Sequence, residues 1–174
     1  MRSALVSDRL SGRTVQILEL EGLPPTASEE AAAVLRTATT ATLDAERLVA
    51  LAEVSYALGL ANGSASDLGW QHFLVASIAS WAALFTPVAD LSPYQATAAL
   101  ARQLHNASLG HVLEGMPDVA GRPHSRTTRD IFGRSIDLDV AGEATAWESS
   151  RFERFFAADD FRVLGLRNGS RPSG

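Results

Sequence analysis

The sequence predicts a mainly α-helical domain, in which four to five helices form a bundle around a central apolar helix over residues 66–86. Three observations lead to this prediction. Apolar side chains recur at helical spacing, Ser or Asp residues that favour helix N-termini precede these stretches, and Gly or Pro residues follow them. A chain of 174 residues is also long enough to bury one core without disulfides. We therefore expect a single helical domain over residues 1–167 and a disordered tail over residues 168–174.

Residues 1–22 fit two local structures. Val15, Ile17 and Leu20 can be placed on a short strand or at the end of an amphipathic helix, and the helix is slightly favoured. Gly22 and the Pro-Pro pair that follows it end this element in either case.

The next predicted element is one long helix from Ser28 to Leu60. Ser28 is a good N-terminal cap, and Glu29 in the first turn interacts favourably with the positive end of the helix dipole. Ala and Leu dominate the rest of this stretch, and Asn62 followed by Gly63 is a typical C-terminal signal.

The central helix begins at a cap formed by Ser66 or Asp67 and ends before Pro87. It is apolar on nearly every side, so a membrane span over residues 68–89 has to be considered. Gln71 and the adjacent histidine lie inside that stretch, and no basic residues flank it. A helix buried by its neighbours explains the pattern better, and no membrane association is predicted.

Two further helices are predicted in the C-terminal half. One begins at Ser92 and Pro93 and runs to about Gly115, because proline is well tolerated in a first helical turn. The other covers about residues 143–158, and its aromatic side chains are Trp147, Phe152, Phe155 and Phe156.

Between these helices, residues 116–143 form a long irregular segment that is rich in arginine. Within it, residues 135–140 (SIDLDV) alternate like a short strand, which could pair with residues 14–20 if those are extended. Guanidinium groups bind carboxylates and phosphates bidentately, so arginines of this segment are candidates for holding an anionic group. The alternative is that they pair with nearby aspartates. The candidate anion-binding residues are Arg122, Arg126 and Arg129.

Composition excludes several classes of protein. The chain has no cysteine, which removes disulfides, thiolate metal sites and cysteine nucleophiles, and no lysine, which removes Schiff-base and P-loop chemistry. A net charge of −5 disfavours nucleic-acid binding, and the N-terminus lacks a signal-peptide pattern, so a cytoplasmic location is expected. The abundance of alanine, with arginine as the sole basic residue, is typical of a GC-rich bacterial genome.

The histidines are the main candidates for chemistry, because their charge changes near neutral pH. On a helical wheel His111 points into the apolar sector of its helix, and His105 lies on the flank of that sector. His72 falls on a strip of alanines that either admits a neighbouring helix or leaves room for a ligand. If the two helices are antiparallel, His72 and His111 could come together. We predict His72 or His111 as the general acid or base, with His105 and Tyr94 as supporting proton donors and Trp81 as a ligand contact.

A metal site has weaker support. His111 and Glu114 lie on one helix face, and His72 with Glu46 or Glu53 could complete a set of ligands. Motifs such as HExxH and Glu-x-x-His are missing. The sequence therefore predicts no metal and no cofactor.

Two functions from different classes follow from these residues. The first is a helical protein that binds a small, anionic organic molecule in an aromatic and alanine-lined pocket, as in a cofactor-independent lyase, cyclase or isomerase. The alternative is a non-catalytic homodimer or assembly protein that uses the C-terminal aromatic helix. A ligand-sensing regulator is a third reading, although no DNA-binding helix-turn-helix is found.

Overall fold

The computed structural model describes residues 9–85, 96–115 and 124–141. These residues form five helices and one β-hairpin, which confirms the predicted mainly α-helical bundle. The elements are α1 (Gly12–Leu20), α2 (Glu29–Ala41), α3 (Ala45–Asn62), α4 (Asp67–Phe85), α5 (Ala96–Glu114), β1 (His124–Ile131) and β2 (Arg134–Ala141).

The N-terminal element is a helix, as favoured above. Ser11 caps α1, and both its N–H and its hydroxyl donate to the carboxylate of Glu53 on α3 at 2.8 Å. Arg13 pairs with Glu46, also on α3. Residues 14–20 are therefore helical and are not available as a strand partner for residues 135–140.

The long helix predicted from Ser28 to Leu60 is wrong, because it is two helices. Ser28 does cap α2, but α2 ends at Ala41, and Asp44 then caps α3 by accepting from the N–H of Glu46 at 3.1 Å. Residues 42–44 allow the chain to reverse, so that α2 packs against α3.

Replacement of Ser28 with alanine tests the first of these caps. The Ser28 hydroxyl accepts from the N–H of Ala31 at 3.1 Å, and the substitution leaves that donor without its partner. We expect a loss of about 1 kcal/mol in the free energy of unfolding, measured by urea denaturation. Ser64→Ala is the control, since Ser64 caps no helix, and an equal effect of both substitutions would contradict the assignment.

The core is built on α3 and α4, and α3 contacts the four other described helices. The Phe73 ring of α4 has no exposed surface and lies edge-on against Tyr56 of α3, with centroids 5.6 Å apart. The helices approach closely there because Gly59 faces that ring. On the other side, the Trp70 indole N–H donates to the carbonyl of Val112 on α5 at 3.0 Å. The predicted central position of this helix is thus confirmed for α4, and α3 shares it.

A tight turn joins α3 to α4. Gly63 has a φ of +81°, a conformation that favours glycine, and its carbonyl accepts from the hydroxyl of Ser66 at 3.0 Å. Ser66 in turn accepts from the N–H of Gly69 at 3.0 Å, which identifies Ser66 as the cap of α4. Gly69 is packed so closely on the Gly63 carbonyl that a Cβ atom would lie 2.1 Å from the oxygen.

The described part of the arginine-rich segment is not irregular, because residues 124–141 form an antiparallel β-hairpin. Residues 135–140 do lie on a strand, but β2 pairs with β1, and Ile131 is opposite Arg134. Two residues form the turn, Phe132 with a φ of +49° and Gly133 with a φ of +77°. Positive φ at both positions is typical of a type I′ turn, whose twist matches that of the two strands.

α4 also accounts for the apolar stretch that resembled a membrane span. It is the one described helix that is long and apolar enough to cross a bilayer, and 56% of that stretch is buried inside the protein. Core helices of soluble proteins have the same length and composition. The proposed start of α5 at Ser92, the aromatic helix over residues 143–158 and the tail over residues 168–174 lie outside the described residues.

Candidate functional site

His72 is a fully buried histidine that is paired with a carboxylate. It lies on the inner face of α4 with no exposed surface, and its Nε2 is 2.8 Å from Oε1 of Glu29, the first residue of α2. A carboxylate can only accept, so the Nε2–H of His72 donates to Glu29. This bond fixes the ring so that Nδ1 carries the lone pair when the imidazole is neutral.

The hairpin turn covers the His72 ring. The rings of Phe132 and His72 meet edge-to-face, with centroids 5.0 Å apart, and the N–H of Phe132 donates to the side-chain oxygen of Gln71 at 2.9 Å. A left-handed backbone conformation is uncommon for a phenylalanine and has an energetic cost of order 1–3 kcal/mol. The contacts with α4 maintain this conformation of Phe132. They place an aromatic ring over His72, whereas the Asn or Gly that is usual in such a turn would leave His72 uncovered.

Arg36 also packs on the Phe132 ring. It is two turns along α2 from Glu29, and its guanidinium carbon is 4.2 Å from the Phe132 centroid, in cation–π geometry. Burial lowers the pKa of Arg36 from its ordinary value, and the negative charge of Glu29 partly opposes that shift. The guanidinium thus keeps a charge that is only partly solvated.

Two polar atoms of this cluster have no hydrogen-bond partner. Within the described ranges these are Nδ1 of His72 and one terminal nitrogen of Arg36, Nη1, and both are buried. Most buried polar groups in proteins are paired, so an unpaired one requires an explanation. Here one atom is an acceptor and the other a donor, and the two side chains pack on the same phenylalanine ring.

The second predicted histidine, His105, belongs to a different contact. Its Nδ1 is 3.0 Å from the carbonyl oxygen of Ser77 and 3.2 Å from the hydroxyl of the same residue. The carbonyl accepts only, so Nδ1 carries a proton and is not a base for the serine hydroxyl. This arrangement links α4 to α5 and does not activate a nucleophile.

The third predicted histidine, His111, packs into the core side of α5 as the helical wheel indicated. Its ring stacks on Phe73 with centroids 4.2 Å apart, and its Nδ1 is 3.3 Å from the carboxylate of Glu114. His111 and His72 take part in different contacts, His111 with Phe73 and His72 with Glu29 and Phe132. Across the described ranges, no three His, Asp or Glu side chains lie close enough to hold a metal ion.

The remaining predicted ligand contacts are dispersed. Arg129 lies 5.1 Å from the Trp70 ring, near the hairpin turn, and Arg126 is opposite Asp139 in the strand register. Trp81 is on the outward side of α4 and is 53% exposed, nine residues from His72. Tyr94 and Arg122 lie outside the described residues.

Sequence reasoning missed four residues of this cluster: Glu29, Arg36, Gln71 and Phe132. Glu29 and Arg36 are seven residues apart, so a helical wheel places them on one face of α2, but nothing in the sequence shows that this face meets His72. The one signal for Phe132 is the glycine that follows it, which is common in two-residue turns.

Comparisons with known proteins return no relative. No protein-family model matches the chain, and no curated protein or solved structure is significantly similar to it.

Proposed function

We propose that this protein binds a small organic anion at His72 and Arg36 and uses His72 as a general acid–base group. The observation that supports this most directly is the pair of unpartnered buried atoms, Nδ1 of His72 and Nη1 of Arg36, whose side chains both pack on Phe132. A ligand that satisfies both carries an acceptor, such as a carboxylate, beside a hydroxyl or amino donor.

The chemistry follows from the bond between His72 and Glu29. With Nε2–H held by the carboxylate, Nδ1 is the basic atom, and Glu29 stabilises the imidazolium that forms when Nδ1 takes a proton from the ligand. The same proton is then returned to another atom of that ligand. Isomerisation and elimination need no further reactant, so we assign the protein to the cofactor-independent isomerases, lyases or cyclases of the cytoplasm.

Access to the site requires movement, because His72 has no exposed surface. The hairpin is the element most suited to move, since its contacts with the helical core lie in the half next to its turn, at Arg129, Ile131, Phe132 and Ile136. In this proposal the Phe132 turn lifts to admit the ligand and closes again over His72, which excludes water during proton transfer.

A thermal-shift screen of the full chain with small hydroxy- and amino-carboxylic acids tests the proposal. We expect that one or more of these acids raise the melting temperature of the natural protein. The Arg36→Met and His72→Gln variants are expected to bind the same acids at least tenfold more weakly. Circular dichroism verifies that both variants are folded.

Matched controls are Arg13→Met, which changes an arginine of α1, and His105→Gln, which changes the histidine bound to Ser77. Both controls are expected to bind the acids as the natural protein does. An acid that binds Arg36→Met and His72→Gln with unchanged affinity would show that this cluster is not the site.

The alternative function, a non-catalytic homodimer, also has an observation in its favour. The outward side of α4 exposes Ile78, Trp81 and Phe85, which form an apolar surface that a second copy of the chain would bury.

A further inference from the structure

Phe132 places its ring beside the two side chains that carry unpartnered atoms. The ring is partly buried against the core, and its centroid is 4.2 Å from the guanidinium carbon of Arg36 and 5.0 Å from the centroid of the His72 ring. The guanidinium carbon and the imidazole centroid are therefore no more than about 9 Å apart, which is the sum of these two distances. One small molecule is large enough to contact both groups at once.

Both neighbours of the Phe132 ring favour an aromatic group over an aliphatic one. A guanidinium is attracted to the negative face of an aromatic ring, and an imidazole packs favourably edge-to-face with one. The phenyl ring of Phe132 makes these contacts, but it offers no acceptor to Nη1 of Arg36 and no donor to Nδ1 of His72. A molecule with an aromatic ring, a carboxylate and a hydroxyl group would keep the ring contacts and pair both atoms.

We propose that the ligand of this site is a small hydroxy acid with an aromatic ring, and that its ring replaces the Phe132 ring against Arg36 and His72. This inference rests on the proposed function, because it takes Nη1 and Nδ1 as the atoms that bind the acid. The carboxylate then accepts from Nη1, and the hydroxyl donates to Nδ1 of the neutral imidazole. Phe132 occupies the site when no ligand is bound, so it is an intramolecular competitor of the ligand.

The backbone of the hairpin turn supports this role of Phe132. Its φ of +49° is a conformation that glycine or asparagine adopts at lower cost, so local turn chemistry does not explain a phenylalanine here. The ring contacts and the bond from its N–H to Gln71 hold the turn in place. A ligand has to displace the ring, so its measured affinity is reduced in proportion to the fraction of molecules in which the ring has left the site.

Isothermal titration calorimetry of the full chain with mandelate tests the inference. Mandelate carries a phenyl ring, a carboxylate and a hydroxyl group, and hexahydromandelate is its matched control, with a cyclohexyl ring in place of the phenyl ring. We expect the natural protein to bind mandelate at least about fivefold more tightly than hexahydromandelate. Phe132→Gly removes the competing ring and suits the positive φ, so it is expected to bind mandelate about tenfold more tightly than the natural protein does.

Ser135→Gly is the matched control variant, because it places a glycine at an exposed position of β2 and leaves the Phe132 ring unchanged. It is expected to bind mandelate within about twofold of the natural protein. Circular dichroism verifies that each variant is folded.

Several results would overturn the inference. If the natural protein bound both acids equally, and Arg36→Met weakened both, the proposed function would stand and the aromatic ligand would be wrong. The same holds if other hydroxy acids bound through Arg36 and mandelate did not bind. If Phe132→Gly bound mandelate no more tightly than the natural protein or Ser135→Gly, the ring would be a cover and not a competitor. Mandelate that binds Arg36→Met with unchanged affinity would overturn this inference together with the proposed function.

Discussion

Replacement of Phe73 with alanine is expected to lower the free energy of unfolding by about 3–5 kcal/mol. The ring is fully buried between α3 and α5, where it contacts Tyr56 edge-on and stacks on His111. Gly59 brings the α3 backbone against the same ring, so a smaller side chain leaves a cavity that rigid helices can fill only in part. Urea denaturation measures the effect as a lower midpoint at an unchanged slope.

Two further variants serve as comparisons for the size of this stability loss. Phe73→Leu retains most of the volume and is expected to cost about 1.5 kcal/mol or less. Leu20→Ala removes an exposed side chain from α1 and is expected to change stability by no more than about 0.5 kcal/mol. If Phe73→Ala were no more damaging than Leu20→Ala, Phe73 would not be the packing centre that joins α3, α4 and α5.

The second large effect is expected from Gly69→Ala, which should lower stability by about 2–3 kcal/mol. Alanine favours a helix over glycine by up to about 1 kcal/mol, so local propensity alone predicts the opposite sign. At Gly69, however, the added Cβ would lie 2.1 Å from the carbonyl oxygen of Gly63. That oxygen belongs to backbone, and α3 and α4 would have to move apart to accommodate it.

Gly110→Ala is the matched control for this substitution. Gly110 is also inside a helix, and a Cβ atom there would meet nothing within 4 Å. The control should therefore gain about 0.5–1 kcal/mol, and thermal denaturation of the two variants should shift the melting temperature in opposite directions. Shifts of the same sign would contradict the close approach of α3 to α4 at this turn.

Local signals in the sequence predicted the parts of the fold that depend on local chemistry. Ser28 is predicted as a cap, and Ser66 as one of two candidates with Asp67, because a hydroxyl before an apolar repeat satisfies N–H groups of the first turn. The division between α2 and α3 is not predicted, because the local signals across it are weak. Leu43 continues the apolar spacing through the break, and only Asp44 marks a new cap.

The hairpin and the candidate site depended on information that the spacing of residues does not contain. The strand at residues 135–140 was recognisable, but its partner β1 is polar, and phenylalanine before Gly133 conceals the usual signature of the turn. The contact of His72 with Glu29 joins residues 43 positions apart, on helices whose relative packing no periodicity fixes. A histidine on a strip of alanines could thus be identified as buried, but its carboxylate, its arginine and its covering ring could not be named.

The contact between Gln71 and Phe132 also has a consequence for how the chain matures. These residues are 61 positions apart, whereas α2, α3 and α4 are consecutive and can pack as soon as Phe85 has been synthesised. Local contacts form before distant ones, so the helices are expected to assemble first and the hairpin to dock last. During translation, about 60 residues are added between the synthesis of His72 and that of Phe132, which takes several seconds at typical rates. For that time His72 lacks the aromatic ring that covers it in the folded protein. In that interval its ring is open to water and solutes, and the nascent chain could acquire a bound molecule before the hairpin closes.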